Sequence, residues 1–296
     1  MLATLIKTTR PSFLLLTLAM VALAAALAES NGFSVATTLF SLVALGAVSA
    51  HACVNVLNEV HDARSGLDDL TQRTPFSGGS GALQANPQAL KAASRLGKAL
   101  LALLITIGCY FIYLRGWSLL PLGIAGMVLV MAYTPMLTRR PWLCLIAPGL
   151  GFGPLMLTGS YFVLTGEYSW SVLAVSLIPF FLVNNLLLLN QFPDLTADVQ
   201  VGRRNLLITY GPGIALRIFR WFLLAAYSVL AILVAVGILP PLALLGLLSL
   251  SLAIPLYYGI ASLNEPQQVP HRLLGLNVAI NISLPLLIAI GLALSS

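Results

Sequence analysis

Two short stretches hold most of the acid in this chain. The first runs Asn58-Glu59-Val60-His61-Asp62-Ala63-Arg64-Ser65-Gly66-Leu67-Asp68-Asp69 and the second Asn190-Gln191-Phe192-Pro193-Asp194-Leu195-Thr196-Ala197-Asp198. Together they contain six of the nine Asp and Glu residues, in a sequence that is otherwise almost uncharged and strongly apolar. Carboxylates are costly at or near a bilayer, so their concentration at two points requires a cause. Asn55, Asn58, Glu59 and Asp62 fall at spacings of three and four, which place them on one helical face, and Asn190, Asp194 and Asp198 form a stripe with a period of four. Carboxylate and amide oxygens grouped in this way suit a divalent cation, above all Mg, which keeps part of its water and is shared with substrate phosphate. Arg64, Arg73, Arg203 and Arg204 are close in sequence and supply the positive charge a diphosphate requires. The chemistry this implies is binding of an amphiphilic, phosphate-bearing substrate with a lipid tail. The competing reading is two sets of loop carboxylates solvated at a membrane surface; the repetition of Asn-x-x-x-Asp weighs against it.

The elements that must position these residues are membrane helices. The chain is 59% hydrophobic and 8% charged, with a mean hydropathy of +0.96, whereas soluble domains carry about a quarter charged residues. Apolar runs such as 99–105 and 242–254 do not alternate, which argues against a β-barrel. The net charge of +6 is explained by its distribution along the membrane spans and does not point to nucleic acid. Cys53, Cys109 and Cys144 lie far apart in or beside apolar runs and read as small packing residues. No His pair has zinc-ligand spacing.

The apolar runs predict an all-α polytopic membrane protein of nine spans, near 12–28, 33–57, 97–114, 118–134, 142–165, 170–190, 215–238, 241–262 and 273–294. With these spans, fourteen of the fifteen Lys and Arg fall on one side and only Arg115 on the other. The positive-inside rule makes that side cytoplasmic, with the N-terminus inside, the C-terminus outside and both acidic stretches in the cytoplasm. The first run also has features of a cleavable signal peptide, with Lys7 and Arg10 before it and Ala26-Leu27-Ala28 near its end. The two longest polar loops follow spans two and six. Glycines in Thr74–Gly81 could turn backbone N–H groups toward an anion, or serve as a flexible linker. Residues 87–98 read as an interfacial lead-in to span three. Pro193 is expected to kink or break its helix just before Asp194. Residues 1–296 read as one domain, and the repeated Asn-x-x-x-Asp hints at two four-span halves plus one helix.

These residues together resemble the UbiA superfamily of intramembrane prenyltransferases, which carry two Asp-rich motifs on nine helices around a cytoplasm-facing central cavity. The resemblance runs from Arg10-Pro11 through Asn55-Val-Leu-Asn58, Thr74-Pro-Phe-Ser-Gly-Gly-Ser80 and Tyr133-Thr-Pro135. It continues in Phe152-Gly-Pro-Leu-Met156, Gly159-Ser-Tyr161, Asp194-x-x-x-Asp198-x-x-x-Gly202-Arg-Arg204 and Gly211. It implies that Asp62, Asp68, Asp194 and Asp198 hold two Mg ions on the diphosphate of an allylic prenyl donor, with Glu59 adding a carboxylate. Asn58 and Asn190 would complete or orient those sites, Arg64, Arg73 and Arg203 would contact the leaving diphosphate, and Tyr133 would face the cavity or else stand as an interfacial aromatic. The acceptor would be an aromatic small molecule in the membrane, and the location an inner (plasma) membrane of bacterial type.

The chain also departs from the family pattern. Gly66 stands where the first motif usually has its second Asp, and the next acids follow at Asp68 and Asp69. That longer spacing resembles the branch that prenylates 1,4-dihydroxy-2-naphthoate in menaquinone biosynthesis. Glu59 replaces the usual Asp, and Arg140-Pro-Trp-Leu-Cys-Leu145 replaces a Gly-Leu-Gly-Glu type turn that brings a carboxylate. Another quinone precursor, a haem, a chlorophyll-type ring or a glycerol phosphate are alternative acceptors. Outside enzymes, a transporter or a non-catalytic lipid binder are the competing classes. The near absence of ionisable groups in spans seven to nine weighs against the first, and the intact Asp62, Asp194 and Asp198 against the second.

Overall fold

A computed structural model of the chain describes residues 1–71, 73–263 and 269–295; the side chain of Asp68 lies outside the described residues. Among the described residues there are helices and no strands. Backbone polar groups surrounded by hydrocarbon must pair within their own segment, and the helix does this along its whole length. Eight helices are long and apolar enough to cross a membrane. A ninth apolar helix, Trp117–Ala132, is shorter. In chain order they are α1 (Pro11–Ser30), α2 (Thr37–Ser65), α3 (Pro87–Arg115), α4 (Trp117–Ala132), α5 (Pro141–Thr165), α6 (Trp170–Gln200), α7 (Pro212–Ala235), α8 (Pro241–Ala261) and α9 (His271–Ala293).

Helix α6 lies at the centre: 67% of its apolar window is buried, against 17% for α3. It packs on α5, α7 and α9, while α1 packs on α2, α5 and α9, and α3 leans on α2. The close approach of α5 to α6 depends on two glycines. A Cβ at Gly149 or Gly153 would collide with the backbone of Phe180 or Ser176, respectively, and Asn184 Oδ1 accepts the Gly149 N–H at 2.6 Å. Two residues after Gly149, α5 widens into a π-helical segment, Gly151–Leu157, which contains Gly153 and Pro154. This packing brings the start of α5 alongside the end of α6, where the second acidic stretch lies.

Several boundaries differ from expectation, each for a physical reason. Helix α2 runs about two turns past its apolar run to Ser65 and stops at Gly66, whose φ of 74° favours glycine. Glu59 and Asp62 therefore lie within the helix, as their spacing of three and four predicts. The lead-in at 87–98 is continuous with span three, because Ala89, Ala93 and Gly97 are buried against α2. The expected break at Pro193 does not occur, and the helix is continuous from Leu177 to Gln200. Proline removes one donor from the helical ladder and leaves the Asn190–Asp198 stripe in register.

Exposed Tyr113, Trp117 and Trp170 mark the end of the bundle opposite the acidic residues, as amphipathic rings do at a membrane interface.

Candidate active site

At the acidic end, α2, α5, α6 and the loops between helices enclose a cavity of about 110 Å³. Its wall contains Asn58, Asp62, Tyr133, Asn190, Asp194, Asp198 and Arg203 from the residues singled out in the sequence. It also contains Arg10, Gln191 and Asn205, which had no assigned role, and Cys144, which reads in the sequence as a packing residue. The residues come from both halves of the chain, and Arg203 joins them. Its Nη2 donates to Asp62 Oδ1 at 2.6 Å and its Nη1 to Asp198 Oδ1 at 2.9 Å. Burial disfavours the guanidinium charge, but Asp62 and Asp198 more than offset this and hold its pKa above the ordinary arginine value.

The remaining carboxylate oxygens show how closely the site is organised. Asp62 Oδ2 accepts the Asn58 side-chain amide at 2.6 Å, and Asp198 Oδ2 accepts that of Asn205 at 3.1 Å. Asn205 Oδ1 in turn caps the short helix Leu206–Tyr210 by accepting Ile208 N–H at 2.9 Å. Asp194 Oδ2 accepts the Gly78 N–H at 3.2 Å, so one N–H of the glycine loop meets a carboxylate of α6. Asp194 Oδ1 is buried with no donor among the described residues, and so are Asn190 Oδ1 and Gln191 Oε1. A buried oxygen acceptor without a donor costs about 1–3 kcal/mol. Three of them on one wall need a cation or ordered water.

A hard cation fits this donor set. Every unpaired atom is an oxygen, which suits Mg, and Mg needs only one or two protein carboxylates when phosphate oxygens complete its shell. Among the described residues no three His, Cys, Asp or Glu side chains gather into a metal cage. Asp62 and Asp198 are drawn to Arg203 instead.

The structure separates residues that the helical spacing had placed together. Asn58 and Asp62 face the cavity, whereas Asn55 and Glu59, on the adjoining flank of α2, face the N-terminus. Asn55 Nδ2 donates to Thr9 O at 2.9 Å. Glu59, expected among the metal ligands, is fully buried, and both its oxygens are engaged. Oε1 accepts from Arg10 Nε at 2.8 Å and Ser80 N at 2.7 Å, and Oε2 accepts from Ser80 Oγ at 2.7 Å. Arg64 lies about 200° around the helix from Asp62, is exposed and reaches Ser94. Arg73 is exposed too and lies over Gly81. Neither reaches the cavity wall as described.

Arg10 opens the family resemblance at Arg10-Pro11 but, lying far from both acidic motifs in sequence, carried no site role. It is the only non-glycine among the described residues with positive φ, at 51°. Such a conformation costs on the order of 1 kcal/mol and persists where surrounding contacts fix it. Here the Glu59 pair and Pro11 at the first position of α1 fix it. Glu59→Gln is therefore expected to release Arg10 and the Thr74–Gly81 loop together, costing about 2–3 kcal/mol. Thermal unfolding and amide exchange at Gly78 and Ser80 would register this; unchanged protection of those amides would contradict it.

Such a fold and such a cavity define a class: an all-helical membrane enzyme whose polar site is built at one end of the bundle from two acidic motifs. The model of the UbiA prenyltransferase family matches residues 14–281, and the chain belongs to that family. It is thus an integral membrane prenyltransferase. Among solved structures it is similar to a UbiA homologue from Archaeoglobus fulgidus bound to GPP and Mg2+, at 15% identity and TM-score 0.70, over 97% of this chain and 99% of that one. It is also similar to an apo UbiA homologue from Aeropyrum pernix K1, at 17% identity and TM-score 0.72, over 95% and 97% of the two chains. A third is a digeranylgeranylglyceryl phosphate synthase, at 17% identity and TM-score 0.66, over 98% of both chains. A comparison with curated protein sequences gives no match.

Proposed function

We propose that the cavity binds the diphosphate of an allylic prenyl donor and transfers the prenyl group to an aromatic acceptor. The observation that carries this reading is the set of unpaired buried oxygens of Asn190, Gln191 and Asp194, in a cavity that also holds Arg203. The A. fulgidus homologue of the same fold is bound to GPP and Mg2+. In this chain Asp194, Asn190 and Gln191 would hold one Mg ion, and Asp62, Asn58 and Asp198 a second, with Asp68 at the margin of the first motif. Bound there, Mg supplies the charge that offsets the developing diphosphate anion.

Arg203 has a second role. Donor binding can draw its guanidinium from the carboxylates to the phosphate oxygens, for which its planar fork is suited. The C1–O bond of the donor breaks, the diphosphate leaves with the electron pair, and the electron-rich ring of the acceptor takes the prenyl carbon. A ring proton or a carboxyl group, as carbon dioxide, then departs. Tyr133 and Cys144 also line the cavity.

The acceptor we favour is 1,4-dihydroxy-2-naphthoate or a near relative. In support, the first motif is lengthened by Ser65-Gly66, and Gly66 is the left-handed residue that turns the chain out of α2. The Lys and Arg distribution supports a cytoplasmic active site, the N-terminus inside and the C-terminus outside, in a bacterial-type inner membrane. We read residues 1–296 as one catalytic unit, with the Asn58/Asp62 and Asn190/Asp194 pairs as the remnant of a repeat.

The test is prenyl transfer by purified protein from radiolabelled geranyl diphosphate to a panel of acceptors, with Mg or with EDTA. EDTA-sensitive labelling of the naphthoate is the expected product. Labelling of a different ring alone would remove the acceptor assignment, and EDTA-insensitive labelling would remove the metal.

A further inference from the structure

Beside the first cavity lies a second of about 270 Å³, between the N-terminal helix Leu2–Thr8, the start of α1 and the Thr74–Ser80 loop. The two share Arg10, Phe76, Ser77 and Gly79, so they are separated by little more than the Phe76 ring and the adjoining loop backbone. Phe76 is backed by α9, where its ring lies against Gly275.

The electrostatics of the two cavities differ. The first mixes the carboxylates of Asp62, Asp194 and Asp198 with two guanidiniums, Arg10 and Arg203. The wall of the second contains Lys7 and Arg10 and no Asp or Glu among the described residues. Arg10 is committed to Glu59 through contacts of 2.6 and 2.8 Å. Lys7 is exposed and has no carboxylate partner among the described residues. The rest of the wall combines the rings of Phe13 and Phe76 and two prolines with the hydroxyls of Ser12, Thr74, Ser77 and Ser80. One unpaired cation beside two aromatic rings selects a flat, apolar body with one negative charge. It does not suit a diphosphate, which carries several negative charges and no ring, and which on the prenyl-transfer reading belongs to the neighbouring cavity.

We propose that this second cavity binds an aromatic acceptor bearing a carboxylate, with the carboxylate at Lys7 and the ring against Phe13 and Phe76. It would pass the ring to the first cavity across Phe76 and Ser77. This inference rests on the prenyl-transfer reading for its purpose but on its own geometry for its place. It adds two specificity-determining residues, Lys7 and Phe13, that lie outside both acidic motifs.

The test uses the full chain in phosphatidylcholine nanodiscs. Three probes are measured by equilibrium dialysis: 1,4-dihydroxy-2-naphthoate, uncharged 1,4-dihydroxynaphthalene, and geranyl diphosphate with Mg. Lys7→Ala is expected to weaken naphthoate binding about tenfold, the order of one charge-assisted contact. Lys7→Arg should restore it, while the uncharged ring and the diphosphate bind Lys7→Ala as they bind the wild type. Unchanged naphthoate affinity in Lys7→Ala, or no naphthoate binding by the wild type, would overturn the proposal. A loss of geranyl diphosphate affinity instead would assign the cavity to the donor and overturn it as well. Repeating the series with phosphatidylglycerol covers the lipid alternative: if the anionic headgroup abolishes the Lys7 dependence, the cation serves lipid phosphate and the acceptor site is refuted. A wild type that binds the naphthoate through Lys7 but no geranyl diphosphate would leave this cavity standing and refute the prenyl-transfer reading alone.

Discussion

Asp194→Asn is expected to lower prenyl transfer by about a thousandfold or more while the helical bundle stays folded. The reasoning begins with what the carboxylate does in the folded chain. Its Oδ2 accepts one N–H, from Gly78, and its Oδ1 has no donor among the described residues. A buried charge held this loosely is a burden on the fold, because desolvation is not repaid by hydrogen bonds. Asparagine keeps the shape and the acceptor for Gly78 and removes the charge, so stability should be unchanged or should rise. Catalysis should suffer for the same reason. Losing one preorganised group that stabilises developing charge costs on the order of a hundred- to a thousandfold, and losing a cation ligand adds to that. Thermal unfolding in detergent together with steady-state transfer separates the two effects. A variant with normal turnover would remove Asp194 from the mechanism, and one that fails to fold would assign it a structural role.

Arg203→Ala carries the second large expectation, with stability affected in the opposite direction. The guanidinium sits between two buried carboxylates, and each of its terminal nitrogens serves a different one. Removing it leaves Asp62 and Asp198 facing each other without a cation, and breaking such a buried arrangement costs about 3–5 kcal/mol. The variant should therefore unfold at a clearly lower temperature as well as lose activity. Arg203→Lys discriminates further. A single ammonium supplies the same one positive charge but cannot bridge the two carboxylates as the planar fork does. Most of the stability should return with Lys, while transfer stays well below wild type. Full recovery of transfer by Lys would show that charge alone matters there. No loss of stability in the Ala variant would show that Asp62 and Asp198 are not coupled through Arg203.

Much of this fold could be read before any coordinates. Apolar runs of span length have one solution in hydrocarbon, and the helices fall close to the predicted ranges. The stripe of Asn190, Asp194 and Asp198 could be read too, because a period of four survives intact on a continuous helix and all three residues line the cavity. The contacts that cross the chain could not. Gly78 meets Asp194 across 116 positions, and Arg203 meets Asp62 across 141. No local pattern encodes such pairings. Glu59 was misplaced for a subtler reason. Position 59 lies about 60° around the helix from position 62, and that rotation turns a side chain from the cavity toward Arg10 and Ser80. Arg64 could have been set aside from the sequence, since two residues beyond Asp62 is the opposite face. Arg10 carried a faint signal in Arg10-Pro11, where a proline at the first helical position fixes the point at which α1 begins.

The central claim is that the cavity between the two acidic motifs holds a prenyl diphosphate through a divalent cation. Equilibrium binding of radiolabelled geranyl diphosphate to the purified chain, titrated with Mg and then reversed with EDTA, tests it most directly. Saturable binding that appears with Mg, is released by EDTA and is lost in Asp194→Asn is the predicted result. Binding of equal strength with and without Mg, or binding that Asp194→Asn leaves untouched, would contradict it.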